Sequence, residues 1–304
     1  MSDVETLFDA VKNNHIVKES DNAIPIVFSR ESWNRLKNHR SALIGMTILF
    51  FLLLGAIICP MISKYTYYET KLHLKNLPPS IDFWFGTDEL GRSIFTRIWW
   101  GARISLFVGI TAAFIDMIIG VLYGAFSGLM GGEIDEVMMK LVDIFQAIPN
   151  LLIVILLMVI LGQGIFTIII AMTLTGWLNM ARIVRAQILS LREQDFITAA
   201  YGIGASRARI LTKHLIPNCM GSIITTMTLT IPTAIFTEAF LSFLGLGVQA
   251  PIASWGTMAS DGLSALSYFP WRLFFPAFFI STTMLAFNLL GDGLRDLFDP
   301  RLRV

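Results

Sequence analysis

The chain has 304 residues and a formal net charge of +1, with 55% hydrophobic residues, only 15% charged ones and a mean hydropathy of +0.66. Soluble domains carry about 25% charge, so this balance makes lipid the solvent, and with no Arg-rich or acid-rich tail it excludes nucleic-acid binding. Cys59 and Cys219 alone exclude a disulfide framework and a cysteine metal site, and the scattered His15, His39, His73 and His214 form no local chelating cluster.

Residues 1–40 are polar, no apolar stretch precedes Ser41 and no cleavage site follows, so the first apolar segment is expected to be retained. A crossing helix needs about 20 apolar residues, because roughly 30 Å of hydrocarbon is covered at about 1.5 Å per residue. Six segments meet or approach that length: 41–60, 104–130, 137–161, 165–180, 219–243 and 273–291. The fourth is short and runs into Trp177 and Arg182, and only the helix breakers Gly162-Gln163-Gly164 separate it from the third. Gly120, Gly124, Gly128 and Gly132 recur every fourth residue, a stripe that lets a neighbouring helix approach closely. Pro149, Pro232 and Pro276 fall within spans, where each removes a backbone donor and should bend its helix.

The basic residues near the span ends set the orientation. Arg30, Arg35, Lys37 and Arg40 precede the first span; Arg182, Arg185, Arg192, Arg207, Arg209 and Lys213 lie between the fourth and fifth; Arg295, Arg301 and Arg303 follow the sixth. An even number of spans puts all of these on one side, expected to be the cytoplasm with both termini, and the opposite loop at 244–270 has no Lys or Arg. The segment 61–103 disagrees, since it carries Lys64, Lys71, Lys75, Arg92, Arg97 and Arg103 and must lie outside. The expected organisation is a cytoplasmic segment 1–40, a first span 41–60, an external loop 61–103 with an interfacial helix, a membrane core 104–291 and a cytoplasmic tail 292–304.

The most informative polar stretch is 190–217, SLREQDFITAAYGIGASRARILTKHLIP. Ser190 and Glu193 have capping-box spacing, which predicts a helix from Leu191. Phe196, Ala199, Ala200 and Ile203 recur at helical intervals as one apolar face, and Gly202 with Gly204 should end the helix. A second, basic helix is predicted from about Ser206 until Pro217 breaks it. Two readings are open for this helix-turn-helix: an apolar face docked in another protein's groove, or an amphipathic pair lying on the inner leaflet.

Here the chain resembles the permease subunits of bacterial ABC importers, whose loop toward their ATPases reads Glu-Ala-Ala, three residues, Gly, then a Leu-Pro-type end. Thr198, Ala199, Ala200, Gly204, Ile216 and Pro217 fall on that pattern, with Thr198 replacing the usual Glu and Ile216 standing for Leu. On the resemblance, Glu193, Phe196, Thr198, Ala199, Ala200, Gly204, Ala205 and Pro217 are the candidate ATPase-coupling residues. Further stretches are similar to the second permease of oligopeptide and dipeptide importers: Trp33–Gly45, Phe85–Leu106, Leu241–Gly247, Ser254-Trp255-Gly256 and Asp299-Pro300-Arg301. Within the external motif FGTDELGRSIFTRIWWGARISL, Gly86, Thr87, Asp88, Gly91 and Arg92 are the marked positions. The physical reading of that motif is an anchor with Trp99 and Trp100 at the headgroups and Arg92, Arg97 and Arg103 snorkelling outward. The alternative is that Asp88, Glu89 and Arg92 help receive a binding protein that delivers substrate.

Asp116, Asp143 and Glu238 lie within spans, where an ionisable group is costly, and are the translocation-path candidates. Asp143 is within reach of water or Arg182; Glu238 could face the pathway and meet a peptide ammonium group; Asp116 has no clear role from sequence.

The resemblance implies an all-α integral membrane protein of the type I ABC importer permease fold, resident in the bacterial plasma membrane. It also implies a homologous second permease, two ATP-binding subunits and an extracytoplasmic substrate-binding protein. No GxxxxGK[ST] phosphate loop is present, and none of the 23 glycines is followed by Lys, so ATP and Mg would be bound by the partner subunits. No catalytic or metal site is expected. Two alternatives remain at this stage: a nickel or metal-chelate importer with the same permease motifs, and a secondary transporter, which would usually show paired intramembrane charges or inverted repeats.

Overall fold

The computed structural model describes Leu36 and residues 39–298. Arg30, Arg35, Lys37, Arg301 and Arg303, much of the Trp33–Gly45 lead-in and the Asp299-Pro300-Arg301 end motif lie outside the described residues.

Ten α-helices follow one another among the described residues: α1 Arg40–Ile62, α2 Ile94–Met130, α3 Gly132–Ala147, α4 Asn150–Leu161, α5 Ile165–Arg192, α6 Asp195–Gly202, α7 Arg207–Ile210, α8 Ile216–Phe243, α9 Trp255–Leu263 and α10 Trp271–Phe298. Five runs are long and apolar enough to cross a membrane, with α7 and α8 counted as one, and α3 with α4 makes a sixth if the bent pair is one span. Five of the six expected spans are therefore present as single apolar runs with different ends, and the third is present only as the bent pair. The third is broken: α3 and α4 meet at 77°, because Pro149 sits at the start of α4 and cannot carry α3's hydrogen bonds forward. The fourth span runs through Arg192, since the basic residues after Trp177 continue the helix on its polar side. The second begins at Ile94, with the Ser93 hydroxyl accepting from the Thr96 N–H. Between 63 and 93 the chain makes one short 3-10 turn, Leu72–Leu74, and Trp99, Trp100 and Arg103 ride on the first turns of α2 itself.

Three of the four stripe glycines do what their spacing implied. A Cβ on Gly120 would meet Met180 Cβ at 2.6 Å and the Trp177 carbonyl at 2.8 Å, and one on Gly128 would meet Ile188 Cβ at 2.9 Å. At Gly124 the obstacle is the Ala181 backbone. Missing side chains thus let α2 and α5 pack almost backbone to backbone. Gly132 breaks the pattern: a Cβ on it would point into open space, and its φ of +57° follows +65° at Gly131, so the pair forms the corner from which α3 leaves. On the other side, Gly45 of α1 fits against the Ala286 and Leu290 backbone of α10, and Gly109 of α2 against Ile235 of α8. Pro232 and Pro276 lie inside continuous helices, as does Pro60 in α1.

Candidate functional sites at the two ends of the bundle

The connections gather at two ends. One carries 63–93 and 244–270; the other carries the α2–α3 corner and the loop 193–206. At the first end the marked motif folds on Asp88. Its Oδ1 accepts from the backbone N–H groups of Leu90 and Arg92, both at 2.9 Å, and Oδ2 accepts from Arg92 Nε at 2.6 Å. Arg97 Nε lies 3.6 Å from the same oxygen. Thr87 is fully buried and joins two turns, its hydroxyl donating to the Leu74 carbonyl at 2.5 Å while accepting from the Leu77 N–H at 2.8 Å. Gly91 has φ +73° and sits on the Lys71 carbonyl, where no side chain fits. Gly86, φ +77°, is packed under Trp271 in the same way.

Arg92 and Arg97 therefore do not snorkel. Both are buried, at 7% and 4% exposure, because a carboxylate inside the loop offers them a stronger partner than water. Arg103 turns to α1 instead. Its Nε donates to the Ala56 carbonyl at 2.6 Å, the acceptor that Pro60 leaves without an N–H, and its guanidinium lies 4.9 Å over the Trp100 ring. Arg272 of α10 closes the cluster, donating to Asn76 Oδ1 and Glu89 Oε2, each at 3.3 Å, and to the Asp261 carbonyl at 3.2 Å. Asp88, Arg92, Gly86, Thr87 and Gly91 are brought together; the exposed Glu89 only borders them.

Glu238 does not face an open path within this chain. It is fully buried and accepts from Ser105 Oγ of α2 at 3.1 Å and from Ser242 Oγ one turn on at 2.9 Å. Ser105 in turn accepts from the Trp255 N–H at 3.1 Å, and Trp255 Nε1 donates to the Ile98 carbonyl at 2.9 Å. Hydroxyls and a helix start surround the carboxyl, so its position is a junction of α2, α8 and α9. Asp116 is buried against Gly176 of α5 with its Oδ1 unpartnered among the described residues. Asp143 is exposed and pairs with Arg182, the partner that the sequence named for it.

At the opposite end the capping box does not form. Ser190 is still inside α5, and α6 starts at Asp195 after a break at Glu193 and Gln194. The apolar face also divides. Ile197 and Ala200 are buried with Ile188, Ile210 and Leu215, and Phe196 and Ala205 pack against them half-buried. Thr198 and Ala199 are exposed, as are Tyr201 at 43% and Ile203 at 88%. Sequence reasoning missed Ile197; its signal was the three-residue step to Ala200 together with apolar Ile210 and Leu215 beyond the turn. Gly204, φ +83°, closes the helix: its N–H donates to the Tyr201 carbonyl at 2.9 Å and the Ala205 N–H to the Ala200 carbonyl at 3.1 Å, the doubly bonded ending that requires a left-handed residue. Pro217 does not break the second helix. It falls in the first turn of α8, and the π-helical turn Leu211–Leu215 before it widens the backbone where its ring would otherwise clash.

Comparison with known proteins places this geometry. The helical core matches the fold of the MetNI methionine ABC transporter in inward-facing crystal forms, with a TM-score of 0.54 at 19% identity over 65% of this chain and 94% of that one. That likeness is one of fold, a shared arrangement of membrane-length helices. Residues 120–304 match the family model described as binding-protein-dependent transport system inner membrane component, and residues 28–79 match the N-terminal TM domain of oligopeptide transport permease C. The chain is 59% identical over 274 residues to the oligopeptide transport system permease protein OppC of Bacillus subtilis, covering 90% of each. It is 56% identical over 277 residues to the dipeptide transport system permease protein DppC of the same organism, over 91% of this chain and 87% of that one. The chain belongs to the family of binding-protein-dependent transport system inner membrane components, in its oligopeptide and dipeptide permease branch.

Proposed function

We propose that this chain is one of two membrane-spanning subunits of an ATP-driven importer of di- or oligopeptides. With a homologous second permease it lines the path, two ATP-binding subunits holding ATP and Mg drive it, and an extracytoplasmic binding protein delivers the substrate. The observation that carries the reading is the exposed tip of α6, where Ala199, Tyr201 and Ile203 stand beyond a helix otherwise anchored by buried Ile197 and Ala200. An anchored base with an apolar tip is the form of a docking knob, whereas a helix lying on lipid would bury one continuous face. The broken third span supports a membrane partner, because Ile144, Leu152, Leu156 and Val159 are all more than half exposed and little of its own subunit covers it.

The purified chain is expected to hydrolyse no ATP, with peptide-stimulated hydrolysis appearing once both ATP-binding subunits and the second permease are added. Hydrolysis by the isolated chain would sink the importer-subunit reading.

The proposed orientation puts 193–206 and both termini in the cytoplasm of a bacterial plasma membrane. With Cys59 replaced by Ser, Ser267→Cys, exposed at the 244–270 end, is expected to react with a membrane-impermeant thiol reagent in intact cells, and Ser190→Cys only after lysis. Cys219 is buried, so it should stay silent from either side. The reverse labelling pattern would invert the topology.

A further inference from the structure

Three basic side chains of the segment leading into and out of the α6 loop, Arg185, Arg192 and Arg207, converge on the α2–α3 corner. Arg185 of α5 grips Asp135 in the first turn of α3 with both Nε and Nη2, each at 2.6 Å, and Ser127 Oγ of α2 donates to the same carboxylate at 2.5 Å. Arg192 Nη1 donates to the last carbonyls of α2, Gly128 at 3.0 Å and Leu129 at 3.1 Å. Gly131 leaves it the room, since a Cβ there would stand 2.7 Å from that nitrogen. Arg182 pairs with Asp143 farther along α3, and Arg207 Nη1 reaches Met130 Sδ at 3.7 Å.

Mechanically these contacts are unequal. α2 and α5 are already one body, locked along Gly120, Gly124 and Gly128. α3 is hung between two hinges: the left-handed Gly131-Gly132 pair at one end and the Ile148-Pro149 break at the other. Its attachments run to the α2–α5 body, and two of its side chains are buried, Val142 fully and Asp135 at 6% exposure; Val142 makes only non-directional apolar contact, and Asp135 is the buried one held by directed bonds. Arg182–Asp143 is an exposed pair of the kind worth little, and the Tyr123 hydroxyl adds one bond to the Met138 carbonyl at 2.9 Å.

We propose that the Asp135–Arg185 pair is the latch that makes the third span follow the α6 loop, so that Asp135, Arg185 and Ser127 are positioning residues for coupling ATP use to transport. The proposal rests on the reading of the chain as a nucleotide-driven permease. A push on α6 moves α5, and α2 with it through the glycine seam. Whether α3, and through its bend α4, moves too is decided at Asp135, because the two glycines before it transmit little torque.

The test uses the assembled transporter in liposomes, with Cys59 replaced by Ser and spin labels on Leu141→Cys of α3 and Gln187→Cys of α5, both exposed positions. In the parent, the label separation should be narrow and unchanged between the nucleotide-free state and ATP with vanadate. Asp135→Asn and Arg185→Gln should broaden it, and should raise the ATP hydrolysed per alanine tripeptide taken up by at least about fivefold, the low end of intersite coupling. Arg185→Lys, which keeps the charge and loses the two-pronged grip, carries the same readouts if the neutral variants fail to assemble. A parent separation that shifts on ATP, variants with the parent's narrow distribution, or broadening with an unchanged ATP-to-peptide ratio each overturns the latch. The distance measurement needs no substrate, so absent peptide uptake by the parent complex would count against the proposed substrate and leave the latch decided.

Discussion

Ile203→Asp is expected to abolish peptide uptake while the subunit still inserts at its normal level. Ile203 is the most exposed apolar side chain of the α6 loop, at 88%, and no part of its own subunit needs it. Burying an isoleucine against a partner contributes about 1.5–3 kcal/mol. Losing that and desolvating a carboxylate in its place weakens docking by two orders of magnitude or more, at about 1.4 kcal/mol per tenfold. Gly204→Val should act at the same interface by another route. A β-branched residue at φ +83° costs about 1–2 kcal/mol and undoes the helix ending that presents Ile203. Ala200→Glu is the informative contrast: Ala200 is 6% exposed inside the cluster that anchors the loop, so that variant should lose folded subunit as well as uptake. Thr198→Ala, at an exposed position, should change little. Co-purification of the ATP-binding subunits alongside uptake separates these cases. Full uptake and full co-purification with Ile203→Asp would return the loop to the membrane-surface reading.

The second large effect belongs to Asp88→Ala. The variant leaves Arg92 and Arg97, at 7% and 4% exposure, without their counter-charge, and it removes the acceptor for two backbone N–H groups. Breaking a buried pair from one side costs about 3–5 kcal/mol, a large share of the stability of most folds. Thermal unfolding in detergent, followed by tryptophan fluorescence, should show a clearly lowered midpoint, and protease should cut within 63–93. Glu89→Ala is the control. It removes a carboxylate that is itself 57% exposed and 3.3 Å from the buried Arg272, which keeps Asn76 Oδ1 and the Asp261 carbonyl as acceptors, so the midpoint should fall less than with Asp88→Ala. Equal midpoints for the two variants would show that Asp88 is not the keystone of this end.

Composition determined by itself that the protein lives in lipid, and the apolar runs marked where the crossing helices form, because a crossing helix must satisfy its backbone internally and that demand is written in local sequence. The glycine stripe and the left-handed turn at Gly204 were legible for the same reason: a missing Cβ constrains only its near neighbours. The motif stretches carried the family. What could not be read was every feature set by residues far apart in the chain. Arg92 and Arg97 looked like headgroup anchors until the loop supplied Asp88. Glu238 looked like a path residue until Ser105, 133 positions away, closed over it. The bend between α3 and α4 followed from Pro149, but its 77° angle did not. Ser190 and Glu193 had the spacing of a helix start, yet α5 ran past Ser190, since tertiary packing of Val184 and Ile188 outweighs a capping preference of about 1 kcal/mol. Asp135 drew no notice in sequence as one acid among several in GGEIDE, and only the approach of α5 over the bare face of α2 made it a partner for Arg185.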